Sequence, residues 1–209
     1  MRNNKTLSLL LAVSFSFAIF CTGCTGGNVA DKDGKEISSE ESGDENAEEN
    51  LKQHSYGNLN TFTADTVDGG TFNQDDLSGK DLTVINFWSV TCGPCIEEMP
   101  ALASLQKALP DNVQLLTVCL DGKWEQDVAK SILDEAQFGG KTLIGWDGDA
   151  VGVIQKIQYT PTTLFFDKNG NAVGEAMIGG QEDLQKVYVE AINSTLKGMG
   201  REEINIEGK

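Results

Sequence analysis

Histidine and basic residues are scarce in this chain, and both shortages exclude classes of function. The 209 residues include one His, and 16 Lys and Arg stand against 32 Asp and Glu, which gives a formal net charge of -16. Because phosphate backbones are bound by Lys and Arg, this balance argues against nucleic acid as a partner. Five cysteines are too few and too scattered for a small protein built on disulfides. Hydrophobic residues make up 39% of the chain, enough to form an apolar core.

Residues 1–23 carry the pattern of a bacterial lipoprotein signal. A positively charged start precedes an apolar stretch over residues 7–20, which is shorter than the roughly 20 apolar residues of a membrane span. Small residues before Cys24 predict that this cysteine becomes the lipidated first residue of the mature protein, although Cys21 stands where such signals usually have Leu. A cleaved secretory signal without lipid and an uncleaved anchor are the alternatives. All three place the chain outside the cytoplasm.

Residues 24–55 are predicted to form an acidic, disordered tether between the membrane and a folded domain. The stretch 31–49 has nine acidic residues and two lysines, and the tether has almost no large apolar side chains to offset chain entropy. We expect the folded domain over residues 56–196 and a loose C-terminal tail over residues 197–209.

The folded part alternates predicted strands and helices. A hairpin turn is expected at Asp68-Gly69-Gly70. Further strands are predicted at 81–88, 113–120, 142–146, 162–167 and 172–178, and helices at 94–109, 124–138, 150–157 and 181–196. This order predicts an α/β fold in which a central mixed sheet is covered on both faces by helices.

The run Cys92-Gly93-Pro94-Cys95 stands between a predicted strand and a predicted helix. A thiolate is the nucleophile in disulfide exchange, and the positive end of a helix lowers the pKa of a cysteine placed there. Pro94 suits the first helical turn, where its missing N–H costs nothing. Cys92, at the exposed start, is the expected attacking thiol, and Cys95, one turn inside, is the expected resolving thiol.

A metal site, a structural disulfide and a peroxidase site fit the two cysteines less well. A zinc site needs four ligands, and the predicted domain offers only one further cysteine, Cys119, and no histidine. A purely structural disulfide across so short a loop would add little stability. A peroxidase site would need Pro-x-x-Thr-x-x-Cys, whereas Thr91 directly adjoins Cys92. Cys119 lies between apolar residues of a predicted strand, so a small buried side chain is expected there, with a third redox thiol as the alternative.

The chain resembles the thioredoxin superfamily, and more narrowly its extracytoplasmic TlpA-like and ResA-like branch. The resemblance rests on residues 84–100, VINFWSVTCGPCIEEMP, and on residues 159–167, YTPTTLFFD, followed by Asn169-Gly170. It covers most of residues 56–196. It implies a thioredoxin fold with an N-terminal β-hairpin addition and an inserted helix.

The resemblance also implies roles for residues around the cysteines. Pro161 would be a cis-proline beside the site, and Thr160 would offer backbone hydrogen bonds to an extended segment of the partner. Trp88 would support the site from below. Pro100 would kink the active-site helix. Plain packing is the alternative role for Trp88 and Pro100.

Asn86 departs from thioredoxin, which has a buried Asp at this position that helps to deprotonate the resolving cysteine. Asn cannot act as a base, so another group or water must serve. Glu98 and Glu97 are candidates, although the expectation for both is a solvated position on the helix. Asn86 is common in the membrane-anchored branch and supports that assignment. Thr91 stands where many relatives have an aromatic residue, which concerns partner recognition.

The expected function is that of an exported reductase without cofactor or metal. Gly93-Pro94 matches thioredoxin, whose potential of about -270 mV favours reducing other disulfides. The resemblance implies exported proteins with disulfides as partners, for example apocytochrome c or methionine sulfoxide reductase, and a membrane thiol carrier as electron donor. We expect a monomer, held by a lipid anchor on the outer face of the cytoplasmic membrane. The alternatives are a disulfide-forming oxidase of the same fold and a non-catalytic lipoprotein that binds a solute or partner.

Overall fold

The structure is a computed structural model, and it describes residues 56–206. The predicted signal, Cys24 and the predicted tether therefore lie outside the described residues. Seven strands form one sheet in the order β2-β1-β5-β4-β3-β6-β7. They are β1 Thr63–Thr66, β2 Thr71–Asn73, β3 Leu82–Trp88, β4 Val113–Cys119, β5 Thr142–Trp146, β6 Thr162–Asp167 and β7 Ala172–Ile178.

Five helices are described, and they are α1 Asp75–Ser78, α2 Gly93–Ala108, α3 Gln126–Ala136, α4 Asp149–Ile154 and α5 Leu184–Gly198. The predicted α/β fold with a mixed sheet is confirmed, as are the N-terminal hairpin of β1 and β2 and the helix α4 inserted between β5 and β6. None of the helices within residues 56–206 combines the length and apolar character that crossing a membrane requires.

Strand β3 occupies the interior of the sheet, and every one of its residues is buried. It runs parallel to β4 and antiparallel to β6. Because side chains alternate between the faces of a strand, β3 contributes to two apolar clusters. Leu82, Val84 and Trp88 pack with helices α2, α3 and α5, whereas Ile85 and Phe87 pack with the hairpin, α1 and α4.

The C-terminal segment differs from the loose tail that the sequence predicts. Helix α5 continues to Gly198, two residues past its predicted end. Beyond it, Ile204 is buried, and its backbone exchanges two hydrogen bonds with the Asn193 side chain, at 2.7 Å through its N–H and 3.1 Å through its carbonyl. Burial of Ile204 and partial burial of Ile206 against the α5 side of the core hold this segment in place.

Candidate active site

Cys92 lies at the N-terminus of helix α2, directly beyond the carboxyl end of β3. Its backbone is extended, and the helix begins at the next residue. Pro94 occupies the first turn of the helix, where no backbone N–H is needed. The Cys92 amide donates to the Ser89 carbonyl at 3.1 Å, which closes the short turn between strand and helix.

Cys92 and Cys95 form a disulfide across one turn of α2, with their Cα atoms 5.3 Å apart. The Cys95 backbone N–H points at Cys92 Sγ at 3.3 Å. An N–H group in this position stabilises negative charge on the sulfur once the disulfide opens. The two cysteines differ in exposure, since Cys92 is half-buried and Cys95 is fully buried. Only Cys92 is accessible to a large disulfide.

The segment before β6 lies against Cys92. The Thr160-Pro161 peptide bond is cis, as the resemblance implies. The Thr160 carbonyl oxygen is 3.5 Å from Cys92 Sγ. On the far side of this segment, the Gly179 amide donates to the Pro161 carbonyl at 2.8 Å, which ties the end of β7 to it. Residues distant in sequence thus frame the disulfide.

Trp88 is completely buried beneath the turn that carries the disulfide. It belongs to the same apolar cluster as Cys95 and Met99, and Cys119 lies opposite it in the parallel pairing of β3 with β4. Its carbonyl accepts a hydrogen bond of 2.8 Å from the Leu120 amide. These contacts place Trp88 beneath the turn, within the apolar cluster. Pro100 lies inside α2, in the second turn after Cys95.

Asn86 is fully buried and lies at the centre of a polar network within the apolar cluster. Its side-chain amide donates to Glu98 Oε1 at 3.0 Å, and to Thr163 Oγ1 and Tyr188 Oη, each at 3.2 Å. The hydroxyls of Thr163 and Tyr188 are 2.6 Å apart and bond to each other. A primary amide has two N–H donors, so at least one of them is shared between two of these three acceptors.

Glu98 is buried, contrary to the solvated position expected from the sequence, and only 8% of it is exposed. Burial raises the pKa of its carboxyl from the ordinary 4.5 to about 7, and the hydrogen bond from Asn86 partly opposes this rise. Its second oxygen, Oε2, has no hydrogen-bond partner among the described residues. The expectation does hold for Glu97, which is exposed. The difference arises because α2 turns Glu98 toward Asn86 in the sheet.

Asp121, just beyond the end of β4, is a site residue that was not predicted from the sequence. Its carboxylate accepts hydrogen bonds from the Ser89 hydroxyl at 2.7 Å and the Val90 amide at 3.1 Å. Burial alone would raise the pKa of Asp121, but these hydrogen bonds outweigh it and hold the pKa below its ordinary value. Neighbouring parallel strands end at the same sheet edge, so the first residues after β4 lie near the Cys92 turn. That topological signal could have found Asp121.

Cys119 is buried at the end of β4 and takes no part in the disulfide. Burial raises the pKa of its thiol, and the hydrogen bond to Asp121 Oδ1, 3.3 Å away, adds to this. A thiol held in its neutral form is a poor nucleophile. The prediction of a small buried side chain is therefore confirmed.

Similarity to known proteins extends these observations. The chain is 30% identical over 111 residues to the thioredoxin-like protein YneN of Bacillus subtilis strain 168, a match that covers 52% of this chain and 63% of that protein. It is 32% identical over 108 residues to the thiol-disulfide oxidoreductase ResA of Oceanobacillus iheyensis, covering 51% of this chain and 54% of the relative. The matches thus span less than two thirds of the length of both relatives.

A solved structure shares the fold. The exposed lipoprotein thioredoxin of Streptococcus pneumoniae strain TIGR4 superposes with a TM-score of 0.51 and 26% sequence identity, over 66% of this chain and 98% of that one. The model of the AhpC/TSA family matches residues 58–175, more than half of the chain, including the disulfide and the cis-proline. The chain therefore belongs to the AhpC/TSA family, within the thioredoxin fold and similar to the ResA group.

Proposed function

We propose that this protein is a membrane-anchored, extracytoplasmic thiol–disulfide oxidoreductase that reduces disulfides in exported proteins. The observation that carries the proposal is the Cys92–Cys95 disulfide at the N-terminus of α2, with the Cys95 amide 3.3 Å from Cys92 Sγ. This geometry favours the thiolate of Cys92, which is the half-exposed member of the pair.

The reduced protein reacts first through Cys92. Its thiolate attacks one sulfur of the partner disulfide, a mixed disulfide with Cys92 forms, and the other partner sulfur leaves as a thiolate. The positively polarised N-terminus of α2 and the Cys95 amide stabilise the attacking thiolate before the step. Thr160 stands where the partner backbone passes, beside Cys92 Sγ.

Cys95 completes the reaction. Its thiolate attacks Cys92 Sγ, the internal disulfide forms, and the second partner thiolate leaves, so the partner gains two electrons and the protein loses two. The buried Cys95 thiol must first lose its proton. Glu98, in the next turn of α2 with an unpaired oxygen and a pKa of about 7, is the proton acceptor in this proposal, in place of the acid that Asn86 lacks.

The partners and location follow from the resemblance and from the names of relatives. A relative named as an exposed lipoprotein supports an anchored, extracytoplasmic position for this chain. Its partners would be exported proteins with disulfides, apocytochrome c or methionine sulfoxide reductase among them, and a membrane thiol carrier would return electrons to Cys92 and Cys95.

Trapping tests the chemistry and the roles of the two cysteines. A Cys95→Ser variant is expected to retain partners covalently on Cys92, to be identified after release by a reductant. Cys92→Ser should trap none, and Cys119→Ser should behave like the wild type, since its thiol is buried and neutral. Equal trapping by Cys92→Ser and Cys95→Ser would show that the assigned roles are wrong.

The direction of electron flow is tested by the reduction potential. Equilibration with a glutathione or dithiothreitol buffer should give a value well below about -200 mV, in the range of reductases. A value near that of strong oxidants, about -120 mV, would refute the reducing role and favour a disulfide-forming oxidase.

Anchoring is tested at Cys24, the first residue of the predicted tether. A Cys24→Ala variant expressed in a Gram-positive host should leave the membrane fraction, whereas Cys21→Ala should remain in it. If the Cys24→Ala protein stayed uncleaved in the membrane fraction, the anchor would be the signal segment itself and not a lipid.

A further inference from the structure

Asp121 lies in the loop between β4 and α3, and no step of the proposed reaction uses it. Its backbone carbonyl accepts hydrogen bonds from the Trp124 and Glu125 amides, both at 3.0 Å, which fixes the residue in the loop. Its carboxylate accepts three more, which come from the Ser89 hydroxyl at 2.7 Å, the Val90 amide at 3.1 Å and the Cys119 thiol at 3.3 Å. The side chain therefore joins this loop to the turn that precedes Cys92.

The Asp121 carboxylate carries a negative charge that no basic residue neutralises within residues 56–206. None of the Lys and Arg side chains in that range comes within 4.0 Å of it. Burial opposes its ionisation, but the hydrogen bonds that it accepts outweigh this effect and hold the pKa of Asp121 below its ordinary value. At neutral pH the group is thus an ionised carboxylate, which accepts hydrogen bonds and donates none.

The number of available hydrogens fixes the direction of the bonds in the turn. A serine hydroxyl has one hydrogen to donate and two lone pairs that accept. The Ser89 hydrogen goes to Asp121, so the Ser89 oxygen accepts from the Thr91 hydroxyl at 3.0 Å and from the Thr91 amide at 3.3 Å. The hydroxyl hydrogen of Thr91 therefore points toward Ser89, although Thr91 directly precedes Cys92 in the chain.

This orientation matters for the charge that Cys92 carries in the reduced protein. The Cys95 amide, 3.3 Å from Cys92 Sγ, is the donor that helix α2 supplies. The hydroxyls of Ser89 and Thr91 lie in the adjoining turn, but their hydrogens are directed toward the carboxylate. A hydrogen bond to a thiolate stabilises it and with it the reduced pair, whereas a nearby negative charge has the opposite effect.

We propose that Asp121 is a positioning residue that holds the hydroxyl hydrogens of Ser89 and Thr91 away from Cys92 Sγ and thereby keeps the cysteine pair a reductant. The inference rests on the proposed function. Because the Asp121 network withholds two donors and adds a negative charge, the reduced pair is less stable and gives up its electrons more readily. Asp121 acts through the two hydroxyls, and it exchanges no electron or proton with the partner.

The equilibrium with glutathione tests the inference with the full-length protein at pH 8, near the ordinary pKa of a cysteine thiol. In this exchange the reduced pair and one glutathione disulfide give the Cys92–Cys95 disulfide and two glutathione thiols. Mass spectrometry of the peptide that contains both cysteines measures the oxidised fraction, and hence the equilibrium constant for oxidation of the pair. The variants are Asp121→Asn, Ser89→Ala and the double variant, with Asp134→Asn as the matched control.

Asp121→Asn keeps an oxygen for the Val90 amide and turns an N–H group toward Ser89, which reverses the chain of hydrogen bonds. The equilibrium constant should fall about tenfold, near the lower end for a hydrogen bond to a charged group. Ser89→Ala frees the Thr91 hydroxyl but keeps the opposing charge, so a fall of about threefold to fivefold is expected. The double variant should match Asp121→Asn, because the same chain is already broken. Asp134→Asn should change nothing, since Asp134 is exposed in the last turn of α3.

Results against the inference are separable from failure of the proposed function. An Asp121→Asn constant equal to or above that of the wild type would overturn the inference, as would an equal fall with Asp134→Asn. Additive falls in the double variant would also overturn it, because Ser89 and Asp121 would then act independently. If urea titration shows that Asp121→Asn does not fold, an unchanged constant for Ser89→Ala decides against the inference. A wild type that does not exchange with glutathione disulfide would sink the proposed function, and the inference with it.

Discussion

Replacing Glu98 with glutamine removes one proton-binding group and preserves the shape of the side chain. The carboxyl is buried beside Asn86, and burial raises its pKa from 4.5 to about 7. In the unfolded chain the group loses its proton near the lower value. Between these pH values the folded protein therefore binds more protons than the unfolded chain, and the free energy of unfolding falls as the pH rises.

The size of this loss follows from the two pKa values. Each unit of pKa shift corresponds to about 1.4 kcal/mol, so a rise of the Glu98 pKa from 4.5 to about 7 corresponds to on the order of 3 kcal/mol of stability. This stability is present in full below pH 4.5 and is lost above about pH 7. The Glu98→Gln protein should lack this decline. It should be more stable than the wild type near neutral pH, because no buried charge has to form.

Urea unfolding of the oxidised protein at several pH values between about 4.5 and 8 measures the effect. In that form Cys92 and Cys95 do not titrate, so neither thiol contributes to the pH dependence of stability of either protein. Glu97→Gln is the matched control, since Glu97 is exposed on the same helix and should leave the slope unchanged. Parallel stability curves for the wild type and Glu98→Gln would refute the buried, proton-binding state of Glu98.

Three further variants test other parts of the structure. Asp121→Ala should lower the free energy of unfolding by about 1–3 kcal/mol in urea, because the Val90 amide loses its acceptor; an unchanged midpoint would contradict this. The Gly180→Ala substitution places a methyl group 3.9 Å from Glu98 Oε2. It should move the midpoint of the pH dependence of disulfide reduction to higher pH. A shift to lower pH would argue against Glu98 as the proton acceptor. Ile204→Ala should cost about 2 kcal/mol in urea unfolding, whereas a loss below about 0.5 kcal/mol would mean that the C-terminal segment is loose.

The fold class was predictable because its signals are local. Buried-strand runs such as that of β3 and the turn signal at Asp68-Gly69-Gly70 depend on residues adjacent in sequence. Strand bounds matched closely for the same reason. Helix ends were less predictable, since α3 is shorter than its pattern and α5 is displaced toward the C-terminus. Packing against the sheet, rather than periodicity, decides where those helices end.

The C-terminal segment shows the limit of composition. A loose tail was expected over residues 197–209, but in its described part, up to residue 206, two isoleucines pack on the core and one asparagine side chain on α5 bonds to the backbone. An apolar residue in a short polar stretch has no periodicity to show, so only its tertiary contact reveals its burial.

The sequence by itself determined where the cysteine pair lies. The order of strand, Cys92-Gly93-Pro94-Cys95 and helix places one thiol at a helix N-terminus and the other one turn inside, and both properties follow from local geometry. Tertiary structure alone decided which groups surround that pair. Glu98 is buried only because α2 lies across β3, and Asp121 reaches Ser89 only because β3 and β4 are parallel neighbours. Proton affinity depends on distance and burial in three dimensions, and neither is encoded by residues near each other in the chain.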